Sequence, residues 1–376
     1  MIYLDNAATT KPYKESLEIF NKINAERYFN PSASYSVGFD LYKDIENVKK
    51  DFISFLDGEE NAKIVFTSGA TESNNLAIFG SSFNKQKKYL FSMGEHPSVY
   101  NCACELKNKG YNVDFIPLQR NGEIDYAIFE QMCNEEVCFV SVMFVNNETG
   151  AINNLQKISE IISQNTNSCV FHVDAVQGFG KINFSVSDCN INLCSISAHK
   201  IGGIKGVGAL YISNKTRLKN VNFGGNQEYG LRSGTVNAAA IFSFYEAAKI
   251  SLNNLKNNLS YVQDLKTYLI KNLETKLDNY VKVVSSLDSS PYITSLIFSG
   301  NRGETIMRYL SSKEIMISTG SACSSSKVGN RIIESMGYDK NKVMGAIRVS
   351  FSPLTTKEEI DKFISAILEY KEKINT

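Results

Sequence analysis

A lysine and an aspartate follow two successive predicted strands, and together they could hold an aldehyde cofactor. Asp174 closes one apolar run, and Lys200 follows the next run by four residues. The carboxyl ends of neighbouring parallel strands meet at one edge of a sheet, so both side chains are expected there. A lysine amine condenses with an aldehyde and a carboxylate keeps a pyridinium nitrogen protonated, which is the combination that pyridoxal phosphate requires. A surface ion pair is the commoner outcome for one Asp and one Lys, but Ser197, His199 and the glycine-rich run 202–208 favour the cofactor.

A possible phosphate site lies earlier, where VFTSGATESN at 65–74 predicts a strand, a tight turn and the start of a helix. The backbone N–H groups of Gly69, Ala70 and Thr71, with the Thr71 hydroxyl, could hold a phosphate at the positive end of that helix. Glu72 also suits a first helical turn, so ordinary capping is the alternative that this segment leaves open.

Cys323 differs from the other cysteines of the chain. It lies in STGSACSSS at 318–326, a run of small residues without helical or strand pattern. This composition predicts a mobile, solvent-reachable loop, which a sulfur nucleophile needs, although a surface loop without chemistry is equally compatible with it. The other cysteines lie in apolar or ordinary surroundings that favour inert thiols. Of the histidines, His96 follows a predicted strand, whereas His172 lies within one and is expected to be structural.

The elements around these residues alternate between strands and helices, which predicts an α/β layer with a mainly parallel sheet. The predicted strands are 64–66, 89–92, 113–116, 137–145, 169–173, 193–196 and 208–212. Leucines at three- and four-residue steps from 252 to 280 then predict one long helix. That helix leads into a smaller C-terminal part of mixed strands and helices.

Composition excludes several classes of protein. The 376 residues carry 40 basic and 39 acidic side chains, so no broad basic footprint for stable nucleic-acid binding is expected. No apolar run reaches the roughly 18 residues of a membrane span, and the N-terminus shows no signal-peptide pattern, so a cytoplasmic protein is expected. With 3 histidines and no second cysteine pair at zinc-site spacing, no metal is expected.

Ten motifs carry a family resemblance along nearly the whole chain. They are YLDNAATT at 3–10, NPSA at 30–33, SGATESNN at 68–75, EHPSV at 95–99, VNNETG at 145–150, HVDAVQ at 172–177, SAHKIGG at 197–203, RSGT at 232–235, GSACSS at 320–325 and IRVSF at 347–351. In this order they resemble the cysteine desulfurases of the NifS/IscS type, within the class V aminotransferase group.

The resemblance implies an α/β protein of the pyridoxal-phosphate-dependent transferase fold type I. Residues 15–250 would form a large cofactor-binding domain with a mainly parallel seven-stranded sheet. Residues 1–14 and 251–376 would form a smaller α+β domain that carries the cysteine loop at about 319–330. The implied reaction converts L-cysteine to L-alanine and passes the sulfur, as a persulfide on Cys323, to an acceptor in iron–sulfur cluster or thiolation pathways.

The resemblance also implies roles for single residues around the cofactor ring. Lys200 would carry the cofactor covalently and move protons at the substrate Cα, while Cys323 would take the sulfur. His96 would stack on the pyridine ring and shuttle a proton. Asp174 would pair with the ring nitrogen, and Gln177 would hydrogen-bond the ring hydroxyl.

The phosphate and the substrate have their own expected partners. Asn147 and Arg348 would hold the substrate carboxylate, a bidentate task suited to a guanidinium. Thr235 would donate a phosphate contact across the interface of a homodimer. The remaining phosphate contacts are expected from Ala70, Thr71, Ser197 and His199.

The sequence departs from the family pattern at two places, of which the second bears on the sulfur acceptor. Residues 34–37 read SYSV where the family often has a histidine, and 324–337 differ from the S-LEPS-VL-like run common where sulfur goes to an iron–sulfur scaffold. Transfer to a tRNA or thiocofactor thiolation enzyme therefore stays open. A selenocysteine lyase or another class V enzyme is one alternative function. A non-catalytic sulfur-carrier adaptor is a second alternative, opposed by the presence of Lys200, Asp174 and His96.

Overall fold

The computed structural model describes residues 1–81, 84–319 and 330–375. Its strands are β1 Ile2–Tyr3, β2 Lys63–Thr67, β3 Lys88–Ser92, β4 Asn112–Ile116, β5 Val137–Ser141, β6 Val170–Asp174, β7 Leu193–Ser197, β8 Gly208–Ile212, β9 Val281–Val283, β10 Ile293–Phe298, β11 Ile315–Met316 and β12 Ala346–Ser350. Its α-helices are α1 Lys14–Glu26, α2 Ser36–Phe55, α3 Ala70–Gly80, α4 Pro97–Asn108, α5 Tyr126–Met132, α6 Leu155–Asn165, α7 Ala238–Asn253, α8 Leu255–Lys276, α9 Gly303–Ser312, α10 Arg331–Ser335, α11 Lys340–Val343 and α12 Lys357–Asn375.

The central sheet has seven strands in the order β2-β8-β7-β6-β5-β3-β4. Strands β7, β6, β5, β3 and β4 run parallel to one another, while β8 is antiparallel to both β2 and β7. The predicted α/β architecture with a mainly parallel seven-stranded sheet is therefore confirmed. Because β6 and β7 are parallel neighbours, their carboxyl ends lie side by side.

Both faces of this sheet are buried, which explains why its strands are continuous apolar runs. Successive side chains of one strand pack into different clusters. Leu90 of β3 belongs to the largest apolar cluster, whereas Tyr89 and Phe91 on either side of it belong to another. Helix α3 packs against β7 and β8, and α2 packs against β2.

The C-terminal part adds a three-stranded antiparallel sheet in the order β12-β10-β9 and a parallel pair, β1 with β11. The first residues of the chain pair here, because Asp5 forms an isolated bridge with Ser350. A separate apolar cluster contains Leu4 together with side chains from α8, β10 and α12. The N-terminal strand therefore packs with the C-terminal part of the chain.

The long helix predicted over 252–280 is wrong in its extent. Helix α7 ends at Asn253 and α8 begins at Leu255, with Asn254 between them at φ −102° and ψ 6°. The apolar periodicity continues across this single non-helical residue, so the spacing of leucines does not reveal the break. Among the described residues, no helix is both long and apolar enough to cross a bilayer.

Candidate active site

A cavity of about 570 Å³ opens at the carboxyl edge of the parallel strands, where it is also bordered by β12. Open α/β sheets bind ligands at this edge. Most of the residues proposed from the sequence line it, namely Ala70, Thr71, His96, Asn147, Asp174, Gln177, Ser197, His199, Lys200 and Arg348.

Lys200 lies in a short 3-10 turn that follows β7 directly. Its Nζ donates hydrogen bonds to the carbonyl oxygens of Ala7 and Ala8, each at 2.7 Å. Burial, reinforced by the positive charge of Arg348 and partly offset by nearby carboxylates, lowers the pKa of Lys200 from 10.5 to about 8. The amine is therefore far easier to deprotonate than an exposed lysine, as a nucleophilic lysine must be.

Asp174 is the last residue of β6 and is almost fully buried. Its Oδ2 accepts a hydrogen bond from Asn74 Nδ2 at 2.8 Å, and its Oδ1 accepts one from the backbone N–H of Val176 at 3.1 Å. Two donors therefore fix the orientation of the carboxylate at the cavity wall. Each oxygen has a further lone pair for a ligand N–H.

His96 is the N-cap of α4 and is joined to Asp174 by a chain of hydrogen bonds. Its Nδ1 accepts from the backbone N–H of Ser98 at 3.2 Å and lies 2.8 Å from Ser98 Oγ. Asn74 Nδ2 also donates to Ser98 Oγ, at 2.8 Å, so the hydroxyl hydrogen is left for His96 Nδ1. Burial lowers the pKa of His96, against the opposing charge of Asp174. This network assigns the hydrogen of the neutral ring to Nε2.

The opposite end of the cavity is suited to an anion. Helix α3 begins there at Ala70, and its first-turn N–H groups have no intrahelical acceptor. Ser197 Oγ is buried and has no hydrogen-bond partner among the residues that the structure describes. His199 Nδ1 lies 3.2 Å from Thr9 Oγ1. Burial, with the charges of Lys200 and other lysines, lowers the pKa of His199 to about 4, so its ring is neutral near pH 7.

Arg348 brings a guanidinium to the cavity from β12. Its Nη2 donates to Asp5 Oδ1 at 2.7 Å, and its Nη1 donates to the carbonyl oxygen of Asn147 at 2.8 Å. Arg348 Nε and Asn147 Oδ1 are buried without a partner in the described part of the chain. Because unpaired buried polar atoms are costly, this corner is prepared for a polar ligand such as a carboxylate.

Gln177 stands between the cavity and a second lysine. Its Nε2 donates to the carbonyl oxygen of Ala7 at 2.8 Å, and its Oε1 accepts from Lys181 Nζ at 2.9 Å. The Ala7 carbonyl thus serves both Gln177 and Lys200. These contacts place residues 5–9 of the chain against the cavity.

One of the proposed residues that the structure describes, Thr235, does not line this cavity. Thr235 borders a different cavity of about 200 Å³, together with residues 23–30. Its predicted role requires a second copy of the chain and stays a prediction. Cys323 lies outside the described residues, so its predicted role also stays a prediction.

Sequence reasoning missed several residues that the structure places at the site. Asp5 and Ala7 lie within the motif YLDNAATT, and Asn74 lies within SGATESNN, but no role was assigned to them. For Asn74, the available signal was an asparagine on the face of α3 that is buried. Among the described residues, no group of three or more His, Cys, Asp or Glu side chains could hold a metal ion.

A family profile described as aminotransferase class-V matches residues 2–363. The chain belongs to this family. It is 35% identical to a cysteine desulfurase IscS of Rickettsia bellii over 97% of this chain and 90% of that protein. It is 36% identical to a NifS/IcsS protein homolog of Lactobacillus delbrueckii subsp. bulgaricus over 100% of this chain and 99% of that protein. A solved structure of a NifS-like protein superposes with a TM-score of 0.91 at 30% identity, over 99% of each chain.

This class-V aminotransferase therefore has the fold and the NifS/IscS likeness predicted from its motifs, and its cofactor is pyridoxal phosphate. The cavity fits that group. The start of α3 suits the phosphate, as does the Ser197 hydroxyl, which has no partner in the described part of the chain. Asp174 offers a carboxylate for the ring nitrogen, and Lys200 lines the same cavity.

Proposed function

We propose that this protein is a cysteine desulfurase, which converts L-cysteine to L-alanine and moves the sulfur as a persulfide. The observation that carries the proposal is that Lys200 and Arg348 line one cavity, and that Arg348 Nε has no partner among the described residues. An α-amino acid offers an amino group to the first centre and a carboxylate to the second. The two relatives above are named for desulfurase or NifS-type proteins, which favours cysteine as that amino acid.

The cofactor would be held at its reactive carbon by Lys200, at its ring nitrogen by Asp174 and at its ring hydroxyl by Gln177. Its phosphate would contact the N–H groups at the start of α3, together with the Thr71 and Ser197 side chains and His199. The bound cofactor supplies an electron sink for bonds at the α- and β-carbons of the substrate. His96 would cover the ring.

Substrate orientation would come from Arg348 and Asn147. Arg348 Nε can donate to the carboxylate while its other nitrogens remain bonded to Asp5 and to the Asn147 carbonyl. Once neutral, Lys200 can remove the Cα proton, because its pKa is lowered to about 8. His96 lines the cavity and, with its hydrogen on Nε2, can donate a hydrogen bond there. To protonate a carbon or a leaving group, its ring would first have to take up a proton.

Cys323 would take the sulfur. Its thiolate would form an S–S bond to the sulfur of the substrate as the substrate C–S bond breaks. The carbon skeleton would then gain a proton and leave as alanine, so no external oxidant or reductant is required. The small residues around Cys323 and its position in GSACSS support this assignment.

The persulfide would next pass to an acceptor of the iron–sulfur cluster or thiolation pathways. The run at 324–337 departs from the pattern common among enzymes that serve iron–sulfur scaffolds. This departure favours testing a thiolation enzyme, such as one that modifies tRNA, beside a scaffold. The cytoplasmic location expected from the sequence stays a prediction.

We also propose that the protein works as a homodimer. Thr235, whose motif position matches a phosphate ligand, does not line the cavity of its own chain. Tyr28, which borders the same cavity as Thr235, is exposed, and so are Tyr35 and Phe39 a few residues further along the chain; each is at least half exposed. Exposed aromatic surface of this kind is typical of protein interfaces. A second copy could cover it and bring Thr235 to the phosphate.

The division into domains is likewise a proposal. Residues 15–250 would be the large domain, and 1–14 with 251–376 the small one. The separate apolar cluster that unites Leu4 and Ala7 with residues from 262 onward supports this division. Val284 and Ile297, however, pack with the larger cluster, so the two units would share an extensive contact.

The test is to incubate the purified protein with pyridoxal phosphate and isotopically labelled cysteine, then to measure alanine and the mass of peptides that contain Cys323. Equal amounts of alanine and transferred sulfur are expected, with label on Cys323. Cys323→Ala should abolish the persulfide, while Cys104→Ala, which changes a partly exposed thiol elsewhere, should leave it intact. Alanine and persulfide production that persists in Cys323→Ala would reject the assignment.

A further inference from the structure

Lys181 is a buried lysine that the proposed mechanism does not use. Its side chain is 6% exposed, and it does not line the cofactor cavity. It lies behind the cavity, where it and Lys200 both border a small void of about 30 Å³. Among the described residues, the Lys181 side chain makes two polar contacts. Its Nζ donates a hydrogen bond to Gln177 Oε1 at 2.9 Å, and it lies 5.6 Å from the centroid of the Tyr292 ring.

The surroundings of Lys181 do not compensate its charge. Burial, together with the positive charges of Lys200 and Arg348, lowers its pKa to about 7, and no carboxylate in the described part of the chain acts in the opposite direction. Another buried lysine, Lys266, shows the usual solution, because its Nζ donates to three backbone carbonyl oxygens and to the Ser289 hydroxyl. Lysines are rarely buried unless they are paired. Lys181, in contrast, has one hydrogen-bond acceptor in the part of the chain that the structure describes, which indicates that this contact has a role of its own.

That contact determines which way the Gln177 amide faces. The ammonium form of Lys181 has donors only, so it requires the carbonyl oxygen of the amide to point towards it, and the neutral amine can donate to the same oxygen. The NH2 group then points towards the Ala7 carbonyl, 2.8 Å away. In the reversed amide, NH2 would face the ammonium group and oxygen would face a carbonyl. Lys181 and Ala7 therefore select the same orientation from opposite sides.

The remaining hydrogen of Gln177 Nε2 is free for a ligand, because its first hydrogen is used by Ala7 and Gln177 lines the cavity. The amide thus offers the cavity an N–H donor and keeps its carbonyl oxygen away. A donor at this position suits an oxygen with anionic character, such as the ring hydroxyl of the cofactor. An amide oxygen there would repel the same atom.

We propose that Lys181 is a positioning residue: it holds the Gln177 carboxamide so that an N–H, and not a C=O, faces the ring oxygen of pyridoxal phosphate. The proposal rests on the cofactor contacts proposed above. Lys181 touches no ligand and acts through Gln177.

The experiment measures binding of pyridoxamine phosphate to the full-length protein after its cofactor has been removed. This probe has the ring oxygen and the phosphate but forms no covalent bond with Lys200. Lys181→Met, which keeps length and burial but removes the donor, should weaken its binding about 5- to 10-fold, as loss of one buried orienting hydrogen bond predicts. It should also shift the visible absorption band of bound pyridoxal phosphate. Lys266→Met is the matched control, and it should lower the melting temperature without changing either signal.

A double-mutant cycle with Gln177→Leu separates this role from a general effect of the buried charge. If Lys181 acts through Gln177, Lys181→Met should have almost no further effect on binding in the Gln177→Leu background. An equal loss of affinity in both backgrounds would overturn the proposal. So would an unchanged affinity and spectrum in Lys181→Met, whatever happens to its melting temperature.

A second variant keeps the test decisive if Lys181→Met does not fold. Gln177→Glu retains an oxygen for the Lys181 amine but replaces the N–H that faces the cavity, so it should weaken binding of the probe more than 10-fold. Full binding by Gln177→Glu would overturn the proposal. If the wild-type protein binds the probe but makes no alanine from cysteine, the proposed function fails while the result for Lys181 stands.

Discussion

Replacement of Asn74 by leucine tests the hydrogen-bond chain that joins Asp174 to His96. Asn74 is fully buried, and its Nδ2 makes two hydrogen bonds of 2.8 Å, one to the Asp174 carboxylate and one to Ser98 Oγ. A hydrogen bond to a charged group contributes about 1.5–3 kcal/mol and a neutral one about 0.5–1.5 kcal/mol. Asn74→Leu, which has nearly the same shape, should therefore lower the free energy of unfolding by about 2–4 kcal/mol.

The neighbouring residue supplies the control. Asn75 lies on the same helix, is only partly buried and donates to the Thr71 carbonyl within its own helix, so Asn75→Leu should cost less than about 1 kcal/mol. Urea denaturation of both apo proteins measures the difference. Because the chain has 3 histidines, imidazole 15N spectra can be assigned with His96→Gln, and they should show a changed His96 ring only in Asn74→Leu. Equal stabilities of the two variants, with His96 signals unchanged in both, would refute the chain.

Three further outcomes follow from contacts at the cavity. In the apo protein, the reaction of Lys200 with a small aldehyde should have a pH midpoint near 8 instead of 10.5. Arg348→Ala should raise that midpoint, because it removes a nearby positive charge. Peptide mass spectrometry of adducts trapped across a range of pH measures both midpoints. Arg348→Lys should raise KM for cysteine at least about 10-fold, because the donors of an ammonium share one nitrogen and cannot reproduce the separated donors with which the guanidinium would bind Asp5 and the substrate carboxylate together. An unchanged KM would contradict this role. Gly202→Ala should reduce the cofactor content of the purified protein, because Gly202 has φ +83° and a Cβ there would lie 2.3 Å from the Tyr13 ring; absorbance of the bound cofactor per chain measures the effect.

The sequence could predict that Lys200 and Asp174 line the same cavity, because their placement depends on a local rule. Asp174 ends one strand of five residues and Lys200 lies in the turn after another, and the two strands are parallel neighbours in one sheet. The same rule applies to His96 and to the start of α3, which also follow strands of this sheet. Side chains positioned by strand ends can therefore be predicted as a group once the order of the elements is recognised.

Other contacts depend on parts of the chain that no local pattern connects. Asp5 and Arg348 are 343 positions apart, and their pairing requires the bridges that bring the N-terminus to β12. Asn74 and Lys181 occur in segments whose spacing fits ordinary helix and turn, so sequence patterns assign them no chemistry. The break between α7 and α8 at Asn254 could not be predicted for a related reason. An apolar stripe indicates which face of a helix is buried but not whether the helical backbone is continuous.

The N-terminal segment explains why the site needs both ends of the chain. The carbonyl of Ala7 accepts from Lys200 and Gln177, the carboxylate of Asp5 binds Arg348, and Thr9 contacts the His199 ring. Residues 5–9 thus touch the centres proposed for covalent attachment, substrate carboxylate and phosphate at the same time. Backbone carbonyls cannot be removed by substitution, so the segment can fix the Lys200 amine without adding a titrating group beside it. Movement of this short segment would change all three centres together, and its pairing with β11 and Ser350 resists that movement.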